Sequence, residues 1–204
     1  MFVEADPYPW PYDGPLAADR LAVVICGAQK WFYERTAQPN DALDRVARIV
    51  SVLRPLGAAI LAVRHGTNHG HQGRPVLPAV ESEDHGLIID PSAIDMIIDA
   101  AGMDAFYGSG LDAYLRAHAI DTLILLGLGL EGPIHSTMRA ANDRGYECLL
   151  VSDASAPHVP ALVRASLSTI AYSGGIFGAF ATTAAVVGGC AGLASNPTYS
   201  GALP

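Results

Sequence analysis

Gly127-Leu-Gly-Leu-Glu-Gly-Pro-Ile-His-Ser-Thr-Met-Arg-Ala-Ala-Asn-Asp-Arg-Gly-Tyr-Glu-Cys-Leu-Leu150 is the stretch that decides the fold. It leaves an apolar run, Thr122–Gly127, turns through glycines 127, 129 and 132, and enters a helical pattern over Ser136–Arg144. After Gly145 it resumes as a second apolar run, Glu147–Val151. Strand, tight loop, helix and strand in about thirty residues make a unit whose two strands lie parallel in one sheet. Pro133 sits at the helix start, where its missing N–H costs the fold nothing.

Working outward, the same alternation recurs. Strand-like runs fall at Leu21–Cys26, Ala58–Val63 and Met96–Ile98, and helical patterns at Ala42–Leu56, Leu111–Ala119 and Val159–Tyr172. Near the end, Ile176–Phe180 reads as a short buried strand and Thr182–Val187 as a small apolar helix, packed on the sheet or on another subunit. The expected fold is α/β: a three-layer α/β/α sandwich with a mostly parallel sheet. One domain is expected over residues 1–204, with an N-terminal arm at 1–18 and a loose tail at 195–204. Ligands of such sheets bind beyond the carboxyl ends of the strands, where Gly27, Pro133 and the loop at Arg64 should meet.

Composition narrows the function classes. Twelve basic against 20 acidic residues, a formal net charge of −8, leave no basic stripe for phosphates, so nucleic acid is not an expected partner. No charged residue follows Arg164, yet the glycines between Gly174 and Gly192 break any lipid-facing run, and no membrane span is expected. The start, Met-Phe-Val-Glu-Ala-Asp, lacks the regions of a signal peptide. Cys26, Cys148 and Cys190 stand at unrelated spacings, as reduced thiols of a cytoplasmic protein do.

From Ser136 to Leu150, and in the approach Tyr8-Pro-Trp-Pro-Tyr-Asp-Gly14 followed by Leu21-Ala-Val-Val-Ile-Cys-Gly-Ala-Gln-Lys-Trp-Phe32, the chain resembles the isochorismatase-like cysteine hydrolases, and within them the biuret hydrolase and amidohydrolase branch. That resemblance implies an Asp–Lys–Cys triad. With Gln29 and Phe32 in register the aspartate position is Gly27; counting back from Phe106 puts the lysine at Ala100; the cysteine that opens the helix is Pro133. None of the three side chains titrates. Amide hydrolysis through a covalent intermediate needs a thiolate, a base and oxyanion donors, and proline supplies neither a nucleophile nor an N–H. The family's amidase mechanism is therefore expected to be absent.

Several residues near these positions carry chemistry. In Arg64-His-Gly-Thr-Asn-His-Gly-His-Gln-Gly-Arg74, the histidines His65, His69 and His71 match no metal spacing. A polar surface loop, a transition-metal site and substrate contact through His65 or His69 all stand as readings. Glu131 and His135 flank Pro133 and are candidates for a new acid–base pair with His65. At about 100° per residue, however, His135 points away from Pro133's side of the helix, and Glu131 is equally a helix-start carboxylate. Cys26 alternates away from the pocket and is expected as a small core hydrophobe. Trp31, Phe32, Phe106 and Tyr107, with Arg64 and His69, are the expected binding wall around Gly27, Ala100 and Pro133.

Two functions are expected from these residues. In one, an inherited pocket performs non-covalent acid–base chemistry on a small planar or cyclic organic molecule, such as ring opening, elimination, rearrangement or cyclisation. In the other, the protein is a pseudoenzyme, a binding protein or a partner subunit. A homo-oligomer is expected, and no cofactor.

Overall fold

The computed structural model describes residues 1–67 and 77–194, the last three by their backbone. Strands β1 (Leu21–Cys26), β2 (Ala59–His65), β3 (Met96–Ala100), β4 (Thr122–Leu128), β5 (Glu147–Ala156) and β6 (Ala179–Ala181) form one sheet. Their order is β3-β2-β1-β4-β5-β6, and every neighbouring pair is parallel. β1 and β4 are buried along their whole length, which is why both are unbroken apolar runs rather than alternating ones. The order reverses between β1 and β4, so the crevice beyond their carboxyl ends is the topological switch point.

The helices are α1 (Lys30–Tyr33), α2 (Pro39–Leu53), α3 (Leu111–Ala117), α4 (His135–Asp143), α5 (Val163–Gly175) and α6 (Thr183–Ala194). Alternate strand side chains go to opposite faces. On one face Val23, Ile25, Ile60 and Ile124 meet Val46, Ile49 and Leu53 of α2 and Val186 of α6. On the other, Val24, Leu61, Val63 and Leu125 meet Leu115 of α3, Met138 of α4 and Ile170 of α5. The architecture is the expected three-layer α/β/α sandwich. α2 shows the cause most plainly: Ala42, Val46, Ile49, Val50 and Leu53 recur on one helical face, and Pro39 sits in its first turn.

The structure corrects several element boundaries. β2 runs past its apolar residues through Arg64 and His65, because β3 pairs with it as far as Ala100. Arg64 and His65 are thus strand residues, not the opening of a loop. The helix expected from Val159 begins as a 3-10 turn, Pro160–Leu162, and α5 leaves helical geometry at Tyr172–Gly174. The strand expected at Ile176–Phe180 is Ala179–Ala181, entered from Gly178, whose φ is +113°. The short helix expected over Thr182–Val187 continues through Gly188, Gly189 and Gly192 to Ala194. Gly189 lies so close to the backbone of Phe2 that a side chain there would collide with it.

The arm at 1–18 is tied to the fold. Asp6 and Phe180 exchange backbone hydrogen bonds (2.8 and 2.9 Å), and Trp10 is wholly buried. His69 and His71 of the histidine-rich loop, and the tail from Ser195, lie outside the described residues. Among the described residues no helix is long and apolar enough to cross a membrane.

Candidate functional site

At the switch point β1 ends in Gly27 and β4 runs into Gly129, with φ of +64° and +83°. A side chain at 27 would collide with the carbonyl oxygen of Leu128 and come within 3.2 Å of Phe32 Cγ. One at 129 would come within 2.8 Å of Pro133 Cδ and 3.3 Å of Phe32 Cδ1. Both glycines therefore serve close packing as well as a left-handed backbone. Phe32 fills the space they leave. It is fully buried in a separate apolar cluster with Ala42, Leu77, Leu128 and Ala156, against which Trp31 and Met103 pack.

The turn after β4 explains Pro133. Residues Leu130–Ile134 form a single π turn that leads into α4, so the helix proper starts at His135 rather than Ser136. Pro133 is buried there, its ring laid over Gly129. Ala100, at the end of β3, is also buried and is paired across the sheet with His65.

Three imidazoles face or flank this packing. His65 is fully buried at the end of β2. Its Nδ1 lies 3.0 Å from the Gly102 carbonyl, which fixes the proton on Nδ1, and its Nε2 has no partner among the described residues. Burial is the chief cause that pushes its pKa down to about 4, so the ring is neutral. Phe32 lies edge-on to His65, with centroids 6.0 Å apart, and stacks on His158 at 5.5 Å. His158, half-buried, also meets Trp31 edge-on at 5.9 Å, and burial lowers its pKa against the pull of Glu131. His85 is buried beside Gly66, with its Nε2 4.0 Å from a carboxylate oxygen of Asp99.

Gln29 holds the strand ends in place. Its side chain accepts from the His65 N–H (2.7 Å) and donates to the carbonyls of His65 (3.1 Å) and His85 (3.2 Å). Gln29, His85 and His158 are residues that the sequence did not mark for a role here. For Gln29 the signal was available, since a fully buried amide beside a strand end must find partners. For His158, seven residues beyond the apolar run that marks β5, only the strand's full length reveals its position.

The expected site residues divide. Gly27, Trp31, Phe32, His65 and Pro133 lie around one packed centre, and Ala100, in the neighbouring apolar cluster, reaches it through its pairing with His65. Glu131 does something else: its carboxylate accepts the backbone N–H groups of Val159 (2.7 Å) and His158 (3.2 Å), which anchors the turn into α5. His135 points away, as the helix geometry predicts, to Phe177 (6.3 Å) and to Arg139, whose Nε donates to its Nδ1 (3.3 Å). Arg64 forms a bidentate pair with Asp99 (2.6 and 2.7 Å). Phe106 stacks on Tyr146 (5.7 Å) under the Arg144 guanidinium (4.7 Å), and Tyr107 is 63 % exposed. Glu131, His135 and His65 are thus not brought together as an acid–base set.

The thiols lie elsewhere. Cys26, Cys148 and Cys190 are free and buried. Burial pushes the Cys26 thiol up to about 12 and raises those of Cys148 and Cys190. The Cys26 Sγ sits 4.0 Å from the Thr137 hydroxyl, in the layer under α4. Among the described residues no three His, Cys, Asp or Glu side chains come together as a metal site. Among the described residues, cavities of about 370, 480 and 370 Å³ open elsewhere on the surface, and none of these is lined by Gly27, Ala100 or Pro133.

Comparison with known proteins completes the picture. The chain is 24 % identical over 143 residues to the uncharacterized isochorismatase family protein YrdC of Bacillus subtilis, covering 68 % of this chain and 74 % of that one. It is 27 % identical over 158 residues to the ureidoacrylate amidohydrolase RutB of Methylobacterium radiotolerans, covering 64 % of this chain and 61 % of that one. A cysteine hydrolase structure from Pseudomonas syringae pv. phaseolicola superposes with a TM-score of 0.78 at 24 % identity, covering 94 % of this chain and 98 % of that one. The isochorismatase domain model matches residues 21–185. That match runs from the first residue of β1 into α6 and takes in every strand of the sheet, and the chain belongs to the isochorismatase family.

Proposed function

We propose that this protein keeps the family scaffold without the cysteine-hydrolase reaction, as a pseudoenzyme whose work is binding: a binding protein or partner subunit of a cytoplasmic system. The observation that carries this is the state of the thiols. The chain has three cysteines, all buried with their pKa raised, while a thiol nucleophile must be exposed to substrate and largely ionised. The packing of Phe32 against Gly27 and Gly129 supports the same reading, because it occupies the room a carboxylate would need at Gly27. Gly27, Ala100 and Pro133 then stand where the triad of an active relative would be.

A second reading has one specific observation in its favour. The Nε2 atoms of His65 and His158 have no partner among the described residues, their rings flank Phe32, and neutral imidazoles are bases suited to non-covalent proton transfer on a small organic molecule. Ammonia release from a panel of ureido and amide compounds, measured with and without iodoacetamide, tests these readings. The expected result is no release above buffer. Turnover that iodoacetamide abolishes would refute the loss of thiol chemistry, and turnover that His65→Gln abolishes but iodoacetamide does not would favour the second reading.

A further inference from the structure

The net charge of this chain is gathered in one stretch. Of the 20 acidic residues, eight fall in residues 77–115, which hold no lysine or arginine. The other twelve are matched by the 12 basic residues elsewhere, so the net −8 belongs to this stretch. It contains β3, the last strand on its side of the sheet, with the turns that enter and leave it. Among the described residues no strand pairs with the outer side of β3. Ala100 turns its carbonyl inward to the Gly66 N–H (3.0 Å), so in the alternating parallel pattern the backbone groups of Ile97 and Asp99 face outward. Met96 and Ile97 are 44 and 37 % exposed beside them. Met96-Ile-Ile-Asp-Ala100 contains no proline or lysine, and its register on β2 is unbroken by a bulge. Those are devices that ordinarily keep an open edge from pairing.

Charge selects what can join this edge. Asp95 and Asp99 are held by Arg54 (3.0 Å) and Arg64 (2.6 Å), whereas Glu81, Glu83, Asp90 and Asp104 have no ion pair among the described residues. Asp90 precedes the turn that leads into β3, and Asp104 follows the strand by four residues, so free carboxylates stand beyond both of its ends. A second copy would set like charges against them; a basic chain would neutralise them. We infer that the outer edge of β3 takes an extended, basic segment of another protein, which joins the sheet as a seventh strand. Main-chain hydrogen bonds to the edge supply the affinity in such an addition, and alternate side chains supply the selectivity. On the face that carries Ile97 and Asp99, an apolar residue of the added strand covers Ile97, and a lysine or arginine two places on falls beside Asp99.

This edge is independent of the candidate site, whose reading is tested by thiol and ammonia chemistry. The probe is the synthetic peptide Lys-Val-Val-Lys-Lys-Val-Val-Lys, which when extended alternates lysine with valine on each face. Calorimetric titration of the full chain should give a one-to-one complex that weakens as salt is raised. Hydrogen exchange should slow at the amides of Ile97 and Asp99 when the peptide is bound. The same peptide with glutamate for lysine, and the lysine peptide N-methylated along its backbone, should not bind. Ile97→Lys changes an exposed side chain, so the circular dichroism spectrum should stay that of the parent while the complex weakens about fivefold. Failure of the lysine peptide to bind, equal binding of either control peptide, or binding that leaves β3 exchange unchanged would overturn the inference. So would protection of β3 that rises with protein concentration in the absence of peptide, because a second copy would then fill the edge.

Discussion

Gly27 and His65 set the chemistry of the packed centre one residue at a time. Gly27 is held at φ +64° with the Leu128 carbonyl and the Phe32 ring against its open side. Gly27→Asp should therefore lower stability by roughly 2–4 kcal/mol, measured as a fall in the denaturant midpoint, because it adds backbone strain, overpacking and a buried charge. His65 acts through pH. Its pKa is about 4 when folded against an ordinary value near 6.5, so below pH 6.5 the unfolded chain takes up a proton that the folded one refuses. The stability it contributes is present above pH 6.5 and drains as pH falls toward 4, by about 3 kcal/mol for this one buried group. His85, His135 and His158 are lowered too and act in the same direction. His65→Gln should flatten the loss between pH 6.5 and 4 in chemical-denaturation curves; an unchanged slope would mean that His65 titrates freely.

The elements around the site depend on a few polar anchors. Glu131 bridges the π turn and the turn into α5 through two backbone N–H groups. Glu131→Gln should cost about 1–2 kcal/mol and speed hydrogen exchange at His158 and Val159, since a charge-assisted anchor becomes a neutral one. Element order, layers and the switch point were legible because apolar runs and helical periods alternate without ambiguity from Leu21 to Val151. Element ends were less so. Arg64 and His65 are strand residues through pairing with Asp99 and Ala100, and α6 passes three glycines, of which Gly189 packs on Phe2; both are tertiary effects. In the candidate site, the absence of titrating groups at Gly27, Ala100 and Pro133 was legible, and so was the turn of His135 away from them. The occupation of the centre by Phe32, and the second imidazole supplied by His158 from beyond β5, depend on how separate segments meet.

At the scale of the whole molecule, a doubly wound sheet keeps its ligand crevice where the strand order reverses, and here a third apolar cluster occupies that crevice. The scaffold is preserved on both faces of the sheet, while the chain's three thiols are buried away from the crevice surface. Whether this family member has a thiol able to act as a nucleophile is read by intact-mass measurement after exposure of the native protein to iodoacetamide at mildly alkaline pH. No adduct is expected on the native chain and three after unfolding in denaturant, one for each of Cys26, Cys148 and Cys190. Rapid addition of a single adduct to the native protein would show an accessible, ionised cysteine and contradict the loss of thiol chemistry.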